Sequence, residues 1–122
     1  IPLSSLDRFI RETDALIKAK YPGVRIINFG HLGDGNLHYN IAPPEGEDFK
    51  AFNLANEKPI HELIYGQVEL CNGSISAEHG VGQLKLEGLR AHKGEVAHEL
   101  MKTLKKALDP QNILNPHKVV SI

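Results

Sequence analysis

The sequence has a single cysteine, Cys71, so an intramolecular disulfide is excluded and a reducing compartment is expected. It has no charge surplus: 14 Lys+Arg against 15 Asp+Glu leave a net charge of −1 over 122 residues. Nucleic acid and anionic membrane are therefore poor main partners, since both are held by an excess of basic residues. No window approaches the roughly 20 apolar residues of a membrane span, and no signal-peptide pattern opens the chain. Neither a G-x-G-x-x-G nor a G-x-x-x-x-G-K-[ST] run is present, which leaves a self-contained nucleotide site unsupported. What is abundant is histidine and glycine, seven and eleven, and the glycines sit close to particular histidines.

Leu6, Phe9, Ile10, Thr13, Leu16 and Ile17 recur at helical spacing, predicting a first helix with Ser4 and Asp7 as a capping box and Tyr21-Pro22-Gly23 as its stop. Val24 to Phe29 reads as a strand. Leu37 to Ile41 reads as another, with Leu37, Tyr39 and Ile41 on one face and His38 and Asn40 on the other. After the acidic loop from Ala42 to Asp48, Phe49, Phe52 and Ala55 predict a helical stretch, and Pro59 is expected to start a new turn. Ile60, Leu63, Ile64, Val68 and Cys71 carry the helical period on to an Asn72-Gly73 cap. The sequon formed by Asn72, Gly73 and Ser74 is read as that cap. Ser74 to His79 is expected to be short and extended. A last helix covers about Glu95 to Leu108, burying Val96, Ala97, Leu100, Met101, Leu104 and Leu108. The order α-β-β-α-β-α predicts an α+β domain with helices on one face of a small, mainly antiparallel sheet.

If Asp34-Gly35 are the central residues of a hairpin turn, His31 lies directly opposite His38, close enough for two imidazoles to share one metal ion. Asn36 and Asn40 then join His38 on one polar strip. The alternative is a pair of solvent-facing histidines. Glu78 and His79, before Gly80 and Gly82, form a second candidate: Glu78 could complete a His2Glu set with a coordination position left open, and His79 could serve as a general base. His61, His92 and His98 fall among Lys and Glu and are expected to be solvated, while Cys71 is expected in the core. Lys85 either meets an anionic group or is exposed.

Three runs, Gly30-His31-Leu32-Gly33-Asp34-Gly35-Asn36-Leu37-His38, Gly73-Ser74-Ile75-Ser76-Ala77-Glu78-His79-Gly80-Val81-Gly82 and Leu108-Asp109-Pro110-Gln111-Asn112-Ile113-Leu114-Asn115-Pro116, resemble the C-terminal lobe of FAD-linked 2-hydroxy-acid dehydrogenases. This group includes D-lactate dehydrogenase, the glycolate oxidase D subunit and D-2-hydroxyglutarate dehydrogenase. The resemblance implies His31, His38 and Glu78 as ligands of a divalent metal, zinc in most cases. It implies His79 as the base that takes the hydroxyl proton while hydride leaves for FAD, Asn36 and Asn40 as substrate-pocket residues, and Asn115 as a flavin contact.

It further implies a ferredoxin-like antiparallel sheet in an incomplete lobe. Residues 1–122 would be the C-terminal substrate- and metal-binding portion of an enzyme that oxidises a D-2-hydroxy acid to the 2-oxo acid. The FAD-binding domain, together with the basic residues that grip the substrate carboxylate, would lie outside it, so the isolated chain would be inactive and prone to self-association. The implied electron acceptor is a quinone or an electron-transfer flavoprotein. The implied location is the bacterial cytoplasm or the mitochondrial matrix, peripheral to the respiratory membrane. Position 117 is histidine where many relatives have glycine. Two readings from other classes stand beside this one: a free-standing zinc hydrolase or lyase, and a non-catalytic ferredoxin-like regulatory module.

Overall fold

A computed structural model describes residues 1–122, which divide into two units, 1–74 and 75–122. In the first, the apolar period of the opening segment produces helix α1 (Leu3–Lys20), which buries Phe9, Thr13 and Ile17 along one stripe. The expected capping box is absent, because the helix starts at Leu3 with Pro2 as its N-cap and no side-chain cap bond. Its stop is as expected: the Tyr21 amide donates to the Ile17 carbonyl, and Gly23 adopts φ +85°.

Strands β1 (Arg25–Phe29) and β2 (His38–Ala42) form a two-stranded antiparallel sheet. Phe29 pairs with His38, Asn28 with Tyr39 and Ile27 with Asn40. Tyr39 turns toward α1, where its ring meets Phe9 edge-on at 6.0 Å and its hydroxyl donates to Asp14 Oδ1 at 2.7 Å. The opposite face carries Ile27, Phe29, His38 and Asn40, with Ile27 and Phe29 more than half exposed.

Helix α2 (Phe49–Leu70) packs beside α1 and buries Ile60, Ile64 and Val68. It runs unbroken through Pro59, contrary to the expectation of a new turn there. Proline removes one amide from the ladder, and the burial of Ile60, Ile64 and Val68 along one continuous axis outweighs that loss. Asp48 caps its start by accepting from the Ala51 amide at 2.8 Å. Asn72 in the left-handed region and the Gly73 amide donating to the Val68 carbonyl at 2.8 Å close its end, as the Asn-Gly pair predicts.

The second unit holds helices α3 (Leu86–His92) and α4 (Glu95–Leu108). Residues 74–79 form bends and no third strand, so of a four-stranded ferredoxin-like sheet one antiparallel pair is present. Helix α3 has no counterpart among the expected elements because its seven residues, with a glycine in the middle, are too few to show a period. Helix α4 matches its expected span, but its apolar face is not buried: Val96, Leu100, Leu104 and Leu108 are 55–84% exposed. The class is α+β, as expected.

Candidate functional site

The hairpin connection differs from the expected two-residue turn. Residues 30–37 link the strands, with a 3-10 turn at Leu32–Asp34 and Gly35 in the left-handed region at φ +70°. The His31 carbonyl accepts from both the Asp34 and Asn36 amides, at 2.9 and 3.2 Å, so the loop folds back on itself at this point. A Cβ at Gly30 would come within 2.3 Å of the Asn36 carbonyl oxygen, which explains why glycine opens the loop.

The consequence for the histidines is direct. Phe29, not His31, stands opposite His38, and the two rings stack at 4.9 Å with 15° between planes. His31 lies beyond the strand, exposed, at the start of the 3-10 turn. The longer loop shifts the register so that the ladder ends before it reaches His31. His38 and Asn40 do share a sheet face, with Asn40 Nδ2 donating to the Ile27 carbonyl at 3.3 Å. Asn36 sits in the loop rather than on the strand, so the expected polar strip of three residues reduces to His38 and Asn40.

In the second unit, Glu78 and His79 are exposed on the bend between Ser76 and Gly80. The Ser76 hydroxyl donates to the Gly80 carbonyl at 2.5 Å and closes the loop around them. Lys85 is half-buried and not fully exposed, and its Nζ donates to Ser76 Oγ at 3.3 Å. Gly80 holds φ +66°, and a Cβ added there would meet nothing within 4 Å, so glycine is needed for its backbone and not for space.

On the far side of that loop, the Val119 amide donates to the Gly82 carbonyl at 2.8 Å and Lys118 Nζ to Gln83 Oε1 at 2.7 Å. Asn115 is exposed at φ 49°, and His117 follows at φ 58°. A left-handed backbone at position 117 gives the physical reason a glycine would suit it.

The other histidines are only partly as expected. His61 is exposed and stacks on Tyr65 at 5.5 Å. His92 and His98 are half-buried rather than solvated, and His98 Nδ1 is buried without a hydrogen-bond partner. Cys71 is 4% exposed, as expected of a core residue, and its sulfur accepts from Arg8 at 3.6 Å.

Two carboxylates hold structural positions that no sequence pattern assigns them. Asp14 accepts from Tyr39 and, at 3.4 Å, from Asn28 Nδ2, tying α1 to both strands. Burial and the hydrogen bond to Asp14 push the Tyr39 phenol well above its ordinary range. Asp109 is 4% exposed and accepts from the Ile113 and Leu114 amides at 3.0 and 2.9 Å and from Lys105. The Lys105 hydrogen bond above all, helped by the two amides, holds its carboxyl below the usual range. The signal for Asp109 is the Asp-Pro helix stop; nothing local marks Asp14.

His31 lies in the 30–37 loop and His38 at the start of β2, while Glu78 and His79 lie on the 76–80 bend of the second unit. The chain belongs to the family described as FAD linked oxidases, C-terminal domain, whose pattern matches residues 1–119. It is 38% identical to a D-2-hydroxyglutarate dehydrogenase of Stutzerimonas stutzeri over 119 residues, 98% of this chain and 25% of that protein. It is 43% identical to the mitochondrial D-2-hydroxyglutarate dehydrogenases of Arabidopsis thaliana and Bos taurus over 95 and 96 residues, 78% of this chain and 16% of each of those proteins. The chain thus spans a quarter or less of the length of these relatives.

Proposed function

We propose that this chain is the substrate- and metal-binding C-terminal portion of a flavin-dependent dehydrogenase that oxidises a D-2-hydroxy acid to the 2-oxo acid. D-2-hydroxyglutarate is the first candidate substrate, from the names of the relatives, with D-lactate and glycolate behind it. The observation that carries the reading is the family match over residues 1–119 together with two imidazoles and a carboxylate in its two glycine-bounded loops.

His31, His38 and Glu78 would supply an N,N,O donor set, which suits zinc and leaves a position for substrate. Bound FAD would supply the hydride acceptor, and the metal a Lewis acid for the hydroxyl oxygen. His79 then takes the hydroxyl proton at an imidazole nitrogen, while the substrate Cα gives up its hydrogen as hydride. Asn36 and Asn40 would orient the acid through their carboxamides, and Asn115 would be a contact for bound FAD. A quinone or an electron-transfer flavoprotein would be the electron acceptor. The bacterial cytoplasm and the mitochondrial matrix are both consistent with the relatives, and no helix is long and apolar enough to cross a membrane. Alone, the chain binds metal, does not oxidise substrate, and self-associates.

Metal analysis by plasma mass spectrometry after dialysis against zinc tests the ligand set. One zinc per chain is expected in the wild type, with affinity lowered at least about tenfold in His31→Ala, His38→Ala and Glu78→Gln. Equal zinc content in all four proteins would sink the assignment.

A further inference from the structure

The Glu78-His79 loop lies within residues 74–79, which form bends and no strand. A side-chain relay spans it. Lys85 Nζ, half-buried, donates to Ser76 Oγ at 3.3 Å, and Ser76 Oγ donates to the Gly80 carbonyl at 2.5 Å, enclosing Ala77, Glu78 and His79. The Lys85 amide donates to the Val81 carbonyl at 3.3 Å, so one residue grips the loop through both its backbone and its side chain. The far edge is pinned separately by Val119 on Gly82 and Lys118 on Gln83.

We infer that Ser76 and Lys85 are positioning residues: the Lys85–Ser76–Gly80 relay sets the bend from which Glu78 and His79 are presented. The physical reason lies in the alternation of an extended chain. In a regular strand, adjacent side chains point to opposite faces, so Glu78 and His79 can serve one site only where the backbone bends between them. Gly80 at φ +66° permits the bend but, having no side chain, cannot enforce it. The Ser76 hydroxyl supplies the acceptor for lysine and the donor for the carbonyl. The lysine ammonium has no acceptor capacity of its own and fixes the orientation in which the hydroxyl proton faces Gly80. Neither residue is required to touch substrate or metal. This inference rests on the proposed role of Glu78 as a ligand.

The test uses the full chain, with zinc as the probe, in Ser76→Ala, Lys85→Met, Ser76→Thr, Lys85→Arg and Glu78→Gln. Zinc affinity is measured by competition with a chromophoric chelator, and loop order by amide hydrogen exchange at Lys85. The expected result is a loss of about tenfold in zinc affinity and faster exchange at Lys85 in both Ser76→Ala and Lys85→Met. Recovery is expected in Ser76→Thr, which keeps the hydroxyl, and in Lys85→Arg, which keeps a cationic donor. Should Ser76→Ala fail to fold, Lys85→Met alone decides, since it removes one limb and leaves the Ser76–Gly80 bond. Zinc affinity that falls in Glu78→Gln but stays at the wild-type value in Ser76→Ala and Lys85→Met overturns the positioning role. Zinc affinity unmoved by Glu78→Gln overturns the ligand reading itself.

Discussion

Thr13 and Tyr39 show how differently two polar side chains on the same interface are treated. Thr13 occupies an apolar position on the stripe of α1, is 1% exposed, and its hydroxyl has no hydrogen-bond partner. A buried hydroxyl left unpaired loses its hydration without return. Thr13→Val keeps the shape and removes the cost, so it should raise stability by about 1 kcal/mol in urea unfolding monitored by circular dichroism. Tyr39 is the opposite case, its hydroxyl donating to the Asp14 carboxylate at 2.7 Å. Tyr39→Phe takes from the Asp14 carboxylate its shortest hydrogen bond, leaving Asn28 Nδ2 at 3.4 Å and Lys18 Nζ at 3.9 Å, and should cost about 1 kcal/mol in the same measurement. Thr13 is readable from the helical period, which makes no distinction between threonine and valine as shapes. The pairing of Asp14 with Tyr39 is not readable, because it joins residues 25 positions apart on different elements.

At the level of elements, boundaries that depend on local chemistry are legible and those that depend on packing are not. The Asn72-Gly73 end of α2 and the Glu95–Leu108 span of α4 follow from caps and period. The continuity of α2 through Pro59 and the register of the hairpin do not. The residue 30–37 loop has the right glycines for a tight turn, yet its 3-10 segment lengthens the connection and brings Phe29 instead of His31 across from His38. That one difference decides which imidazole is half-buried against a ring and which lies in the loop.

The end of α4 carries the clearest electrostatic prediction. Asp109 has its carboxyl held below the ordinary range by Lys105 and by the Ile113 and Leu114 amides. A depressed folded-state value means the unfolded chain binds the proton more readily. The stabilisation is therefore complete above the ordinary aspartate pKa of about 3.9 and is lost as pH falls through the lower folded value. Thermal melts from about pH 7 to about pH 3 should show wild-type stability falling more steeply in acid than that of Asp109→Asn, which cannot titrate. Parallel curves would remove Asp109 from the explanation.

For the molecule as a whole, apolar surface is left uncovered. Val96, Leu100, Leu104 and Leu108 run along one face of α4, with Glu95 and Glu99 in its first half and Lys102, Lys105 and Lys106 in its second. Two such helices side by side and antiparallel would bring acidic halves against basic ones while covering the leucines. Sedimentation velocity at increasing concentration should show association of the chain, reduced by Leu100→Lys with Leu104→Lys and weakened by salt. A monomer at all concentrations would refute it.

The sequence by itself determined the α+β class, most of the element positions, the end of α2, and the residue types available for chemistry, because these rest on period, turn residues and short-range hydrogen bonds. The seven histidines and eleven glycines marked the two glycine-bounded segments as candidates for a site. Only the tertiary structure decided the hairpin register, the exposed face of α4, and the closing of the Glu78-His79 loop by Ser76 and Lys85. Each of these depends on which groups meet across the fold, and a hydroxyl nine residues from a lysine carries no mark in the sequence of the hydrogen bond it will make.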